Sequence, residues 1–249
     1  VRSAAIAPRF RRRDTSRKAR RQTPPHRENA MSLTTTLLAL AATAVAGIGV
    51  AAAQTRFPII QPGDMNAEQK KLFDTLVAGP RAQNYGGEAE KRVLTRGPFN
   101  AWMRSPEAGM RLQAVGEHIR FKSSIPKHLN ELAILITARE WTSQYEWYAH
   151  HALAMKEGLD PAIAEDVANG KRPANMKDEE AAIYDFCTQL HRNKKVDDAA
   201  FNRVKALYGE HGVIDLIAVS GYHVAVSMTL NVAQVPVPDG KPLPLKPLD

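Results

Sequence analysis

Between residues 54 and 249 no stretch alternates apolar and polar side chains with a period of two over a useful length. Apolar residues recur instead every three to four positions, the period of helices that each bury one face. The chain therefore reads as an all-α domain. The segment KHLNELAILITARE sharpens the reading, because Leu132 to Ala138 is an almost unbroken apolar run. A helix with such a run has no polar face to give to water and must be covered on most sides.

Start and stop signals place the other helices. One is expected over about 66–77, before the turn residues Gly79-Pro80, and residues 79–91 (GPRAQNYGGEAEK) read as a loop. Ser105-Pro106 starts a helix to about Phe121, with Ser105 as cap and Pro106 at the first helical position. Ser124-Ile125-Pro126 opens the apolar helix, and the segment after Trp141 opens the next, to Gly158. Asp160-Pro161 starts a short helix stopped by Gly170, followed by helices over 178–191, 197–210 and about 213–233. The Pro-rich tail, 235–249, cannot be helical and is expected to run extended, wrapping a neighbour or hanging free.

The net charge of +8 invites a nucleic-acid reading until it is located. Of the 34 basic and 26 acidic side chains, ten and two fall in residues 1–53, which leaves 24 of each in the rest. The domain is electrically balanced and makes no case for a polyanion partner. Residues 1–30 are Arg-rich, too polar to build a core, and are expected to be a disordered leader or no part of the natural product. Residues 31–53 run from Met31 into an uncharged apolar stretch ending in Ala51-Ala52-Ala53, the pattern of a signal peptide cleaved near Ala53. Its length leaves an uncleaved anchor as the alternative. The expected localisation is exported, periplasmic or secreted, with no stable membrane insertion once the signal is removed. Cys187 is the only cysteine, so no internal disulfide can form and no CxxC exists; it reads as a core residue.

Residues 140–151 (EWTSQYEWYAHH) concentrate chemistry-bearing side chains. Ser143-x-x-Glu146 has the spacing of a capping box, which would use both residues to start a helix. The competing reading notes that Ser143, Glu146 and His150 stand at i, i+3 and i+7, on one helix face. Glu131 sits on the preceding helix, and a carboxylate facing a histidine across two helices can hold a proton near neutral pH. Glu146 and His150, at i, i+4, are two possible metal ligands without a third, so no metal is assigned. His151 and His223 read as structural, with Tyr222 or His223 as candidates to line a pocket.

The run ELAILITAREW, then S-x-x-E-W-x-x-H, then A-x-x-x-G-L, resembles the carboxymuconolactone decarboxylase family, which includes the alkyl hydroperoxidase D proteins. The resemblance covers about 98–233 and is strongest over 131–159. The hydroperoxidase branch carries a Glu, a Cys-x-His-Cys centre and a final His. By spacing Glu131 and His150 match the outer two, while Ser143, Tyr145 and Glu146 stand where the centre would be. Thiol-based peroxide reduction is thereby disfavoured. What remains resembles the cysteine-free decarboxylase branch. The resemblance implies an alkyl hydroperoxidase D-like helical bundle that assembles as a trimer or hexamer. It also implies cofactor-free decarboxylation of a small carboxylated lactone or related organic acid. In that frame His150 delivers the proton, Glu131 orients it, and Glu146 shuttles a proton or only caps. Arg139, Tyr145, Trp147 and Ser143 are the expected substrate contacts, with a salt bridge to a nearby acid as the competing role for Arg139. A lactone or enol isomerase or hydrolase using the same His/Glu pair, and a non-catalytic binding or scaffold oligomer, remain open.

Overall fold

The computed structural model of the chain describes residues 55–238 and 242–247. The expected leader (1–30) and signal segment (31–53) lie outside the described residues, and so does any statement on export. Among the described residues there are nine α-helices and no strand. In chain order they are α1 (Ala67–Ala78), α2 (Ala89–Thr95), α3 (Phe99–Trp102), α4 (Pro106–Phe121), α5 (Lys127–Glu140), α6 (Gln144–Lys156), α7 (Pro161–Ala168), α8 (Asp178–Asn193) and α9 (Asp198–Ala233).

The apolar helix is the axle of the fold. Every residue of α5 from Leu129 to Arg139 is buried, and α6, α7, α8 and α9 pack around it. Each fully buried Leu or Ile contributes about 1.5–3 kcal/mol, and Leu129, Leu132, Ile134, Leu135 and Ile136 all lie in this one helix. A second layer forms where α4 packs on α9 and α1 packs on α4.

Local signals account for most boundaries. Asn66 and Gln69 form a reciprocal capping box at α1, Pro106 and Pro161 occupy first-turn positions of α4 and α7, and Asp160 accepts from the Ala162 amide. Several expectations need correction. The 79–91 loop contains a 3-10 turn (Ala82–Tyr85) and the start of α2. Ser105 makes no capping bond. The two final helices are present and meet end to end within α9, with the kink between them at Gly209, whose φ of 67° and ψ of −177° a side chain would disfavour, so the break falls slightly earlier than expected.

The tail is also corrected. It folds back on its own chain: Leu245 is buried and exchanges two hydrogen bonds with the Gln144 amide, 2.8 and 2.9 Å. The Arg139 guanidinium donates to the Lys246 carbonyl at 2.7 Å. Helix α9 is the one helix among the described residues long and apolar enough to cross a membrane, and just over half of its most apolar stretch is buried inside the protein.

Ser124, just before α5, makes a long-range tie. Asp215 of α9 accepts from the Ser124 amide at 2.7 Å and its hydroxyl at 2.8 Å, which fastens the entrance of α5 to α9. Burial pushes the Asp215 carboxyl up, but the bonds from Ser124 and the neighbouring His211 and His118 outweigh it and hold it below its ordinary range. Its stabilisation is complete above that range and is lost as pH falls through the depressed value. Asp215→Ala is expected to cost about 1–3 kcal/mol at neutral pH and to flatten the acid limb of the stability curve. Urea melts at several pH values check this, and an unchanged neutral-pH midpoint would refute it.

Candidate active site

The turn from α5 to α6, Trp141 to Ser143, is short, which makes the two helices antiparallel neighbours. Thr142 takes a left-handed φ of 44° there, and its hydroxyl accepts from Arg139 at 2.8 Å. The turn folds α6 back along α5 so that Glu131 meets His150. Glu131 Oε2 and His150 Nδ1 are 2.7 Å apart and both side chains are buried.

The pair is half of a larger group. His150 Nε2 lies 3.6 Å from Glu146 Oε1, and Glu146 Oε1 is hydrogen-bonded to His223 Nδ1 on α9. The two imidazoles meet edge to face with centroids 5.0 Å apart. Two carboxylates and two imidazoles thus alternate, Glu131–His150–Glu146–His223, across three helices. Glu146, His150 and His223 each offer a ligating atom, all within 4.8 Å of one another.

The members differ in protonation. For His150, burial pushes the pKa down, yet the charges of Glu131 and Glu146 and the bond to Glu131 outweigh that and raise it, with Arg120 opposing. For His223, burial dominates and lowers the pKa despite Glu146, with His150 adding to the lowering. For Glu146, burial pushes up, but His150, His223 and Arg81 together hold it below the usual carboxylate range. Of the two imidazoles, His150 is therefore the one that holds a proton more readily.

The group opens onto a cavity of two lobes, about 450 and 590 Å³, both lined by His150, His223, Tyr222, Arg81 and Arg120. Among the described residues neither Arg81 nor Arg120 has a carboxylate within salt-bridge distance; Arg81 Nε and Nη2 are buried without a hydrogen-bond partner. Arg81 stacks on Phe99, 5.7 Å from the ring centroid. Helix α4 comes close here: a methyl group on Gly116 would overlap both the Tyr222 hydroxyl and Arg81 Nη2.

Of the expected substrate contacts, only Tyr145 lines this cavity. Trp147 faces a separate depression between α7 and the tail and stacks on His151, centroids 6.1 Å apart. Arg139 donates to the Ala168 and Lys246 carbonyls and to Thr142, so it holds the turn and the tail; it does not line this cavity and has no salt bridge among the described residues. Ser143 begins α6 but makes no side-chain cap, and its buried hydroxyl has no partner. The capping box is thereby corrected: Glu146 turns inward to His223. Tyr222 and His223, expected as candidates to line a pocket beside a structural reading of His223, both line the cavity; Arg81 and Arg120 were not among the expected site residues. The i, i+1 pair Tyr222-His223 in an apolar helix was the available signal for α9; nothing in the loop marked Arg81.

Cys187 is fully buried in α8, 3.7 Å from Ser220 Oγ, and burial pushes its thiol up to about 12. It is expected to resist a disulfide-exchange reagent in the native protein and to react at once in denaturant. Rapid native labelling would show the thiol to be accessible and reopen thiol chemistry. No protein-family model matches the chain, and no curated protein matches it.

Proposed function

We propose that the protein is a carboxymuconolactone decarboxylase-like enzyme with the helical bundle of that family, acting without a cofactor on a small carboxylated lactone or a related organic acid. The observation that carries this reading is the buried Glu131–His150 contact in the wall of a cavity that also holds Arg81 and Arg120, neither of which has a carboxylate within salt-bridge distance among the described residues. Arg81 and Arg120 take the place assigned to Arg139 and grip a carboxylate that stays on the product. A second carboxylate leaves as CO2, and the electron pair of the broken C–C bond passes into the lactone as an enolate. The proton on His150 then moves to carbon, and solvent restores it. Glu131 fixes the imidazole and stabilises its charged form, while Glu146 links it to His223. The sequence run from Glu131 to Leu159 supports the same family independently of the cavity.

The test follows loss of 4-carboxymuconolactone by its ultraviolet absorbance. Turnover is expected in the parent, with His150→Ala slower by about 10²–10⁴-fold and Arg120→Ala raising KM more than it lowers kcat. Equal turnover in parent and His150→Ala would remove the site assignment. Absence of turnover in the folded parent would remove this substrate and favour the isomerase, hydrolase or binding-protein alternatives.

The same reading makes the protein a homo-oligomer, a trimer or hexamer. Ile214, Ile217, Met228 and Val232 form an exposed stripe along α9, spaced at helical repeats. Ile214→Glu combined with Met228→Glu is expected to reduce the mass measured by light scattering to one chain while leaving the helical content unchanged. A parent that is already a single chain would refute assembly.

A further inference from the structure

The cavities, surface patches and buried polar groups leave one arrangement that a proton relay does not use fully. We propose that Glu146, His150 and His223 form a binding site for one Zn2+-like divalent cation, with Glu131 as its outer support. Each offers one ligating atom, a Glu146 carboxylate oxygen and a ring nitrogen of His150 and of His223, drawn from α6 and α9 and mutually within 4.8 Å; an ion bound at His223 Nδ1 would replace its hydrogen bond to Glu146, with the ring proton on Nε2 instead.

Four features point to a cation. The donor set is two imidazoles and one carboxylate, which suits zinc and its neighbours; magnesium and calcium favour all-oxygen shells. Glu146 and His150 are one helical turn apart, so α6 presents both to the same point. Glu131 accepts from His150 Nδ1 at 2.7 Å, which leaves Nε2 as the free lone pair and supplies the carboxylate–histidine support common behind metal ligands. Finally, two carboxylates and two neutral imidazoles sum with a divalent cation to a neutral buried group. The three ligands leave a fourth position, and both lobes of the cavity reach His150 and His223, so an ion has an entry path and a vacancy for water or an anion.

This inference rests on geometry and not on the decarboxylase reading. The two interact: a cation on His150 Nε2 occupies the lone pair that a transferable proton needs. For cofactor-free decarboxylation the metal-bound form is silent.

Chelator-treated protein is titrated with Zn2+ by calorimetry and with Co2+ by visible absorption, both without substrate. One ion per chain is expected, with a Co2+ spectrum of low-symmetry, nitrogen- and oxygen-ligated character. Glu131→Gln should weaken binding about 10–100-fold, and His223→Gln should abolish it while circular dichroism stays unchanged. A surface group offers the competing explanation: His118 and His211 approach Asp215 at 3.9 and 3.7 Å. Binding that survives His223→Gln and disappears in His211→Ala would place the ion there and overturn the proposal. So would no saturable binding at millimolar Zn2+, or a parent affinity unchanged in Glu131→Gln. If His223→Gln does not fold, Glu131→Gln and His211→Ala decide by themselves. Failure of lactone turnover in the chelated parent bears on the proposed reaction alone and leaves the metal result standing.

Discussion

A helix with no side to turn to water imposes its surroundings. In α5 the eleven consecutive residues Leu129 to Arg139 are buried, so four other helices must close around it. The polar side chains that α5 carries inside must then find partners within the protein. Glu131 finds His150, Asn130 donates to the Ile119 carbonyl, Thr137 bonds to the Ala133 carbonyl, and Arg139 binds two carbonyls and Thr142. The wall of the cavity and the anchoring of the tail are both consequences of burying this helix completely. Each is a polar obligation of α5 discharged on a different neighbour.

The alternating carboxylates and imidazoles carry a different energetic character from the apolar core. Removing one partner of a buried ion pair costs about 3–5 kcal/mol, whereas an apolar replacement of the whole group can be neutral or stabilising. Such a group is therefore poorly explained as a stability device. Its position is distinctive: His150 and His223 line a cavity together with Arg81 and Arg120. Burial makes these charges costly in isolation, and it also leaves their mutual interactions little screened.

Much of the fold was legible from period and punctuation. The burial of α5 followed from its unbroken apolar run, and Asn66, Pro106 and Asp160-Pro161 marked boundaries through local chemistry that no tertiary contact overrode. The pairing of Glu131 with His150 was legible because a short turn between two helices leaves little freedom in how they lie. What failed shares one cause. Ser143-x-x-Glu146 had the spacing of a cap, but a long-range partner, His223, draws Glu146 inward. Arg139, expected to hold a substrate or an acid, was also claimed by a distant segment, the tail. Spacing along the chain reports local options; which option wins is settled by residues that are near only after folding. Arg81 and Arg120 were invisible for the same reason, since an arginine in a loop and one near a helix end carry no local mark of the cavity they share.

Gly116 gives this cavity a particular kind of limit. A methyl group on Gly116 would overlap the Tyr222 hydroxyl and the Arg81 guanidinium, so both side-chain tips would have to move from their places in the cavity wall. The placement of two cavity-lining side chains thus depends on an atom that is absent from the facing helix. Their positions are fixed from behind, by a gap on α4, and any side chain at that position would reset both at once.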